Sequence, residues 1–314
     1  MIKKNSVAFI CAAIAVILTV YIPLDTFVIG RVYESDITAS ESLSFPKSSD
    51  DDRSYDAYGS ISYQSLDISH LENTETYESY TDENMTIQVL SCRYMDTQVY
   101  IADIMLSSAE YIKTAFAHDT YGRNIAEKTS EQAERNNAVL AVNGDYYGVQ
   151  EKGICVRNGV VYRSTAKADT DICCIFSDGT MEIVKSEDFD TDALTDRGLW
   201  QAFSFGPELV SGSSVAVSEN DEVGKAMASN PRTAIGCLGN NHFVFVVSDG
   251  RTDESNGLSL YELAEFMQSI GVEMAYNLDG GGSSTMYYMG EVINNPTTSG
   301  RIKERSVSDI VYIG

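Results

Sequence analysis

Basic residues are what this 314-residue sequence is short of: 22 Lys and Arg stand against 46 Asp and Glu, a formal net charge of −24. Phosphate backbones are held by basic stripes, so a nucleic-acid partner is excluded. Histidine is nearly absent, with three in all. His70 sits in an acidic stretch, and His118 and His242 are isolated; His242, in GNNHF, reads as a solvated turn residue. A Ser–His–Asp machine therefore has little to be built from. Of six cysteines, Cys11 falls in an apolar run and the other five contain no C-x-x-C pair. That excludes a disulfide framework and the usual zinc spacing, leaving one disulfide or, by default, buried free thiols. P-loop, dinucleotide and G-x-S-x-G spacings are missing as well, so nucleotide cofactors are not indicated.

The longest apolar run lies at the start. After Lys3 and Lys4, residues 7–24 (VAFICAAIAVILTVYIPL) carry no charge. Such a run is long enough for a membrane span and exceeds the apolar region of a usual cleaved signal. We expect a cytoplasmic tail over 1–6 and a signal-anchor over 7–30, with the remainder outside the cell membrane by the positive-inside bias. Residues 33–84 hold 13 acidic side chains against Lys47 and Arg53, with 16 Ser or Thr and no sustained apolar period. The expectation there is an extended, self-repelling tether over 31–84. From Met85 to Gly314 the composition is that of a folded domain.

Within that domain three short apolar runs finish alike. AVLAV (138–142) leads into NGDYYG, FVFVV (243–247) into SDGR, and VEMAYNL (272–278) into DGGGSST. Between the second and third, GLSLYELAEFMQSIG places Leu260, Leu263, Ala264, Met267 and Ile270 on one helical face. Ser259 and Glu262 form a capping box there, and Gly271 is the stop. Strand–helix–strand order predicts two parallel strands whose carboxyl ends share a sheet edge, where ligands bind in open sheets. Asp249 and Asp279 then emerge together, joined by Asn143 and Asp145. The fold class expected is α+β, a single domain around a sheet with a βαβ unit.

The reactive inventory is carboxylate, amide, hydroxyl and arginine. Arg232 (NPRTAIG) and Arg251 (SDGR) suit bidentate phosphate recognition. Gly280, Gly281 and Gly282 could aim successive N–H groups inward as an anion nest, with Ser283, Ser284 and Thr285 adding hydroxyls. Carboxylates beside anion-holding groups suit a glycosyl phosphodiester. Its sugar carbon becomes oxocarbenium-like, while a phosphate monoester departs with a second pKa near ~6. Two alternatives stay open. One is a hard divalent cation held by the Asp and Asn oxygens, cleaving P–O; the other is a non-catalytic glycan-binding or envelope-assembly protein.

In their order, NGDYYG, FGPELV, NPRTAIG, SDGR and NLDGGGSSTM resemble the phosphodiester glycosidase domain, over roughly residues 105–313. The resemblance implies an α+β domain hydrolysing a sugar-1-phosphodiester; the sequence itself requires no cofactor, with a divalent cation possible. By position it implies site residues Asn143, Asp145, Arg232, Thr233, Asp249, Arg251, Asp279, Gly280, Gly281, Gly282, Ser283, Ser284 and Thr285. Arg305 matches a closing motif in which Ser306 replaces the usual proline. Asp279, with Asp249, Asp145 and Arg232, is expected to carry the chemistry. Asn143, Thr233, Arg251 and Arg305 are expected to bind a phosphoglycan substrate, Asn143 through the sugar.

Overall fold

The computed structural model describes residues 17, 19–20, 24, 28–33, 66–218 and 229–314. Most of the anchor expected over 7–30 and most of the tether therefore fall outside the described residues. Among the described residues, no helix is long and apolar enough to cross a membrane.

Sheet dominates and helices are few. The large sheet runs, strand beside strand, Ser214–Val215, Glu208–Ser211, Met274–Asn277, Arg232–Gly239, His242–Ser248, Thr97–Leu106, Met85–Tyr94 and Glu72–Thr76. A second sheet orders Val160–Arg163, Cys155–Arg157, Leu199–Phe203, Asp171–Phe176 and Met181–Lys185. A third orders Glu291–Val292, Met286–Tyr288, Leu140–Asn143, Asp309–Ile313 and Ile112–Phe116.

The near-continuous apolar runs follow from burial of both faces of the large sheet. Strand side chains alternate, so Phe243, Phe245 and Val247 pack toward Leu140, Val142 and Val311 of the third sheet and Cys173 and Phe203 of the second. Val244 and Val246 face the other way, toward the helix Leu260–Ser269. The predicted helix is there. Ser259 Oγ accepts from Glu262 N at 3.1 Å, Glu262 Oε2 accepts from Ser259 N at 2.7 Å, and Gly271 follows the last turn at φ +90°. The described cysteines, Cys92, Cys155, Cys173, Cys174 and Cys237, are buried free thiols.

One expectation holds with a strand added, and two change. The strands His242–Ser248 and Met274–Asn277 do run parallel, but they are not neighbours: Arg232–Gly239 lies between them, antiparallel to both. The helical crossover skips one strand, and that inserts the amino end of the Arg232 strand into the same edge. The tether, drawn to residue 84, is already in the fold by Leu66, which is buried in the core beside the helix. Glu72–Thr76 then pairs with Met85–Tyr94. Edge pairing uses backbone groups, so an acidic, irregular sequence can join a sheet without an apolar period, and charged side chains suit an outer edge. His242 is no solvated turn residue either. It is 6% exposed, with Nε2 2.6 Å from Asp103 Oδ1 on the adjacent strand.

Candidate active site

Register decides which residues meet. Arg232 lies opposite Ser248, and Ala234 opposite Asn277. The start of one strand and the ends of its two neighbours therefore reach the same edge, with Asp249 and Asp279 two strand spacings apart, about 10 Å. Leu278 N donates to Thr233 O at 2.9 Å, which carries the alignment past the strand end. The third sheet joins here: Asp279 N donates to Gly144 O at 3.3 Å, and Asn143 Nδ2 donates to Asp279 O at 2.6 Å.

At this edge opens a cleft of about 600 Å³. Asp279, Gly280, Gly281, Arg232, Arg251 and Arg305 line it, together with Asn230, Phe205, Glu208, Asp171 and Lys185. Asp279 Oδ2 accepts from Ser283 Oγ at 2.6 Å and from Arg305 Nη2 at 2.8 Å. Arg305 also donates to Ser283 Oγ through Nε, at 2.9 Å. Burial pushes the Asp279 carboxyl up from its ordinary value of 3.8, against the opposing pull of Arg305 and Ser283. Arg232 is held by Nε donating to Leu258 O at 2.8 Å. Arg251, at φ +63°, donates through Nε and Nη2 to Asn230 Oδ1 at 3.0 and 2.7 Å. Three guanidinium groups thus line the same cleft as one buried carboxylate, which Arg305 contacts directly, in a protein of strong net negative charge.

The glycines serve close approach, and of the three amides expected to form an anion nest that of Gly281 is committed within the chain. Gly281 N donates to Pro231 O at 2.8 Å, Ser283 N to Gly280 O at 3.3 Å and Ser284 N to Gly281 O at 3.2 Å, so these amides are committed within the chain. A Cβ at Gly280 would lie 3.0 Å from Pro231 O, and one at Gly282 would lie 2.6 Å from Thr298 Oγ1. Gly281, at φ +64°, would set a Cβ 3.0 Å from Arg251 Nη2. Absence of side chains lets the loops carrying Arg232, Arg251 and Arg305 close around Asp279.

Other expected site residues lie beside the cleft and outside its lining. Asn143 is fully buried, with its amide engaged by protein partners. Its Oδ1 accepts from Thr233 Oγ1 at 2.8 Å and from Thr285 N at 3.4 Å, so Asn143, Thr233 and Thr285 clamp the Asp279 backbone. Ser284 and Thr285 are buried, and their hydroxyls have no hydrogen-bond partner among the described residues. Asp145 is 1% exposed; Oδ1 is 2.7 Å from Arg157 Nη2, and Oδ2 accepts from Ser204 N at 2.8 Å. Arg157 Nε also donates to Asp309 Oδ2 at 2.9 Å. The carboxylate of Asp145 is thus part of a buried ion cluster. Asp249 accepts from Asn294 Nδ2 at 3.1 Å and from Asn295 N at 2.8 Å, and it faces a second cavity. Asn294 in turn donates to Ser284 O at 3.1 Å, so Asp249 acts on the glycine loop through another residue.

Sequence reading missed Lys185, Asp171, Asn230, Arg157 and Asp309. Arg157 had a signal, a lone arginine in the apolar run ICV before a turn. Nothing local distinguishes Lys185, whose Nζ pairs with Asp171 Oδ1 at 2.5 Å.

A phosphodiester glycosidase family profile matches residues 136–314. The chain belongs to that family. It is 30% identical over 198 residues to the SPbeta prophage-derived uncharacterized protein YomE of Bacillus subtilis (strain 168), covering 62% of this chain and 30% of that protein. Over 66 residues it is 41% identical to the mouse N-acetylglucosamine-1-phosphodiester alpha-N-acetylglucosaminidase, covering 21% of this chain and 13% of the enzyme. The chain thus spans less than a third of the length of these curated relatives. The catalytic domain of the zebrafish N-acetylglucosamine-1-phosphodiester alpha-N-acetylglucosaminidase, auto-inhibited by its pro-peptide, shares the fold. The TM-score is 0.59 at 19% identity, over 79% of this chain and 90% of that one.

Proposed function

We propose that the protein hydrolyses glycosyl-1-phosphodiesters of surface or environmental glycans, with the sugar at Asp279 and the phosphate among Arg232, Arg251 and Arg305. The observation that carries this reading is the convergence of one desolvated carboxylate and three guanidinium groups on one cleft. The bond between the anomeric carbon and the phosphate oxygen breaks, and the electron pair leaves with the phosphate monoester. Water supplies the new oxygen on the sugar, and its proton passes to the phosphate or the solvent. Asp279 in its ionised form stabilises the oxocarbenium-like carbon, while the guanidinium groups take up charge growing on the departing phosphate. The activity named for the mouse and zebrafish relatives makes an N-acetylglucosamine-1-phosphodiester the first substrate to try. In the same proposal, residues 7–30 anchor the protein in a cell membrane with the domain outside.

Hydrolysis in 18O-water tests the reading: label should enter the sugar and leave the phosphate unlabelled. Label in the phosphate would instead support cleavage of P–O, the divalent-cation alternative. Among the described residues no three His, Cys, Asp or Glu side chains converge in a metal-ligand group. A chain that binds the diester without releasing sugar would support the glycan-binding alternative.

The raised Asp279 carboxyl sets the pH behaviour. Its carboxylate form is lost on acidification at a pH above 3.8, so kcat/KM should fall on an acid limb lying above that value. Arg305 holds the carboxyl down, so Arg305→Gln should move the limb to higher pH. A pH profile unmoved by this substitution would contradict the pairing of the two groups in function.

A further inference from the structure

The second cavity, about 490 Å³, lies across the SDGR turn from the first. Asp249 faces this cavity while Arg251, two residues on, lines the other. Its walls combine Tyr77 and Tyr100 with Ile302, the amides of Asn73, Gln98 and Asn295, the hydroxyls of Ser91, Thr252 and Ser255, and the charged Glu75, Arg93, Glu254 and Asp249. The volume falls within the ~300–1,000 Å³ of small-molecule sites.

Charge tells the two cavities apart. Three carboxylates line the second against one guanidinium. That guanidinium, Arg93, donates through both Nη1 and Nη2 to Glu254 O, each at 3.1 Å. An anionic group would be repelled here, whereas the first cleft is rich in arginine. A metal ion is not favoured, since the described acidic groups do not converge as ligands. What remains is a ligand with many hydroxyls and apolar C–H faces and no negative charge. The half-buried Tyr77 ring meets a sugar face, and amides, hydroxyls and a buried carboxylate meet sugar hydroxyls. Asp249 is well suited to this role: it is 2% exposed and oriented by Asn294, Asn295 and, at 3.5 Å, Tyr100 Oη.

We infer that this cavity is a saccharide-binding site, distinct from the phosphodiester cleft, for a sugar unit lacking anionic groups. Asn73, Glu75 and Tyr77 come from the acidic segment expected to be a tether, so that segment builds one wall of the site. The inference concerns binding and does not require that the first cleft hydrolyse anything. Asp249 also ties the site to the glycine loop, through Asn294 and the backbone of Ser284 and Met286.

Calorimetric titration of the full chain with the unphosphorylated trimer of N-acetylglucosamine, and with its de-acetylated form, tests the assignment. Saturable binding of either trimer is expected. Tyr77→Ala should weaken it by about tenfold, roughly the 1.4 kcal/mol of one decade in Kd. Glu75→Arg, at an exposed position where folding is not at risk, should weaken it as well, and Arg251→Gln in the first cleft should leave it unchanged. Absence of saturable binding by either sugar would overturn the inference, as would binding unaffected by both Tyr77→Ala and Glu75→Arg or abolished by Arg251→Gln. Diester hydrolysis, assayed separately, distinguishes failure of this site from failure of the proposed activity.

Discussion

Asp279→Asn is expected to lower kcat/KM on a glycosyl phosphodiester by at least about 10³-fold, on the order of 4 kcal/mol of lost transition-state stabilisation. The substitution removes the negative charge set beside the developing positive centre and alters little else. Asn keeps an oxygen that can accept from Ser283, and Arg305, with a side chain 41% exposed, stays solvated when its partner is neutral. The backbone of residue 279 remains clamped by Asn143 and Gly144. Thermal unfolding should therefore shift little while turnover collapses. Steady-state kinetics on the full chain, with a melt of the same sample, checks both halves. An Asp279→Asn variant that keeps wild-type turnover would remove Asp279 from the chemistry.

The second large effect is on stability. Arg157→Leu should destabilise the fold by about 3–5 kcal/mol, the usual cost of leaving a buried charge without its partner. Arg157 is 1% exposed and serves Asp145 and Asp309 at once, as well as the carbonyls of Val156 and Ala202. Its guanidinium also lies 4.5 Å from the Phe203 ring centroid. Even with this cation present, burial pushes the Asp309 carboxyl from 3.8 up to about 7. Between those values the native state holds a proton that the unfolded chain has released. This group therefore makes the protein less stable as pH rises from about 4 toward 7. Without Arg157 the proton is held to still higher pH, so the variant's deficit should be greater at pH 8 than at pH 5. Equilibrium denaturation at both pH values measures it; equal deficits would show that the cluster does not bear the charge argued here.

Arg157 also shows where sequence reading stops. It stands in a strand of the second sheet, Asp145 follows a strand of the third, and Asp309 begins another strand there. Their contact depends on two sheets packing face to face, and no local pattern encodes that. Asp145 was readable as a polar strand end, but its neighbourhood was not, and a carboxylate expected in the cleft proves to be paired with Arg157 in the interior. Asp249 and Asp279 were readable in the same way, as acids closing apolar runs. That their strands reach one edge followed from helical connection and handedness. That their side chains face different cavities did not, because the direction taken by a turn depends on what packs beneath it.

The acidic stretch around residues 66–84 makes the same point from the other side. Composition describes side chains, and Glu72–Thr76 joins the sheet through its backbone, so a segment with every mark of a solvated linker becomes an edge strand.

By itself, then, the order of residues determined the capped helix over Leu260–Ser269, the apolar strands, the polar ends that follow them and the family the motifs define. These depend on spacing along the chain, where period and capping act over a few residues. The tertiary structure alone decided that Asp279 shares its cleft with three arginines, that Asn143 and Asp145 support the site from within, and that Asp249 belongs to a second cavity. Each of those assignments requires residues far apart along the chain to come within a few ångströms, and only the packing of sheets on one another sets such distances.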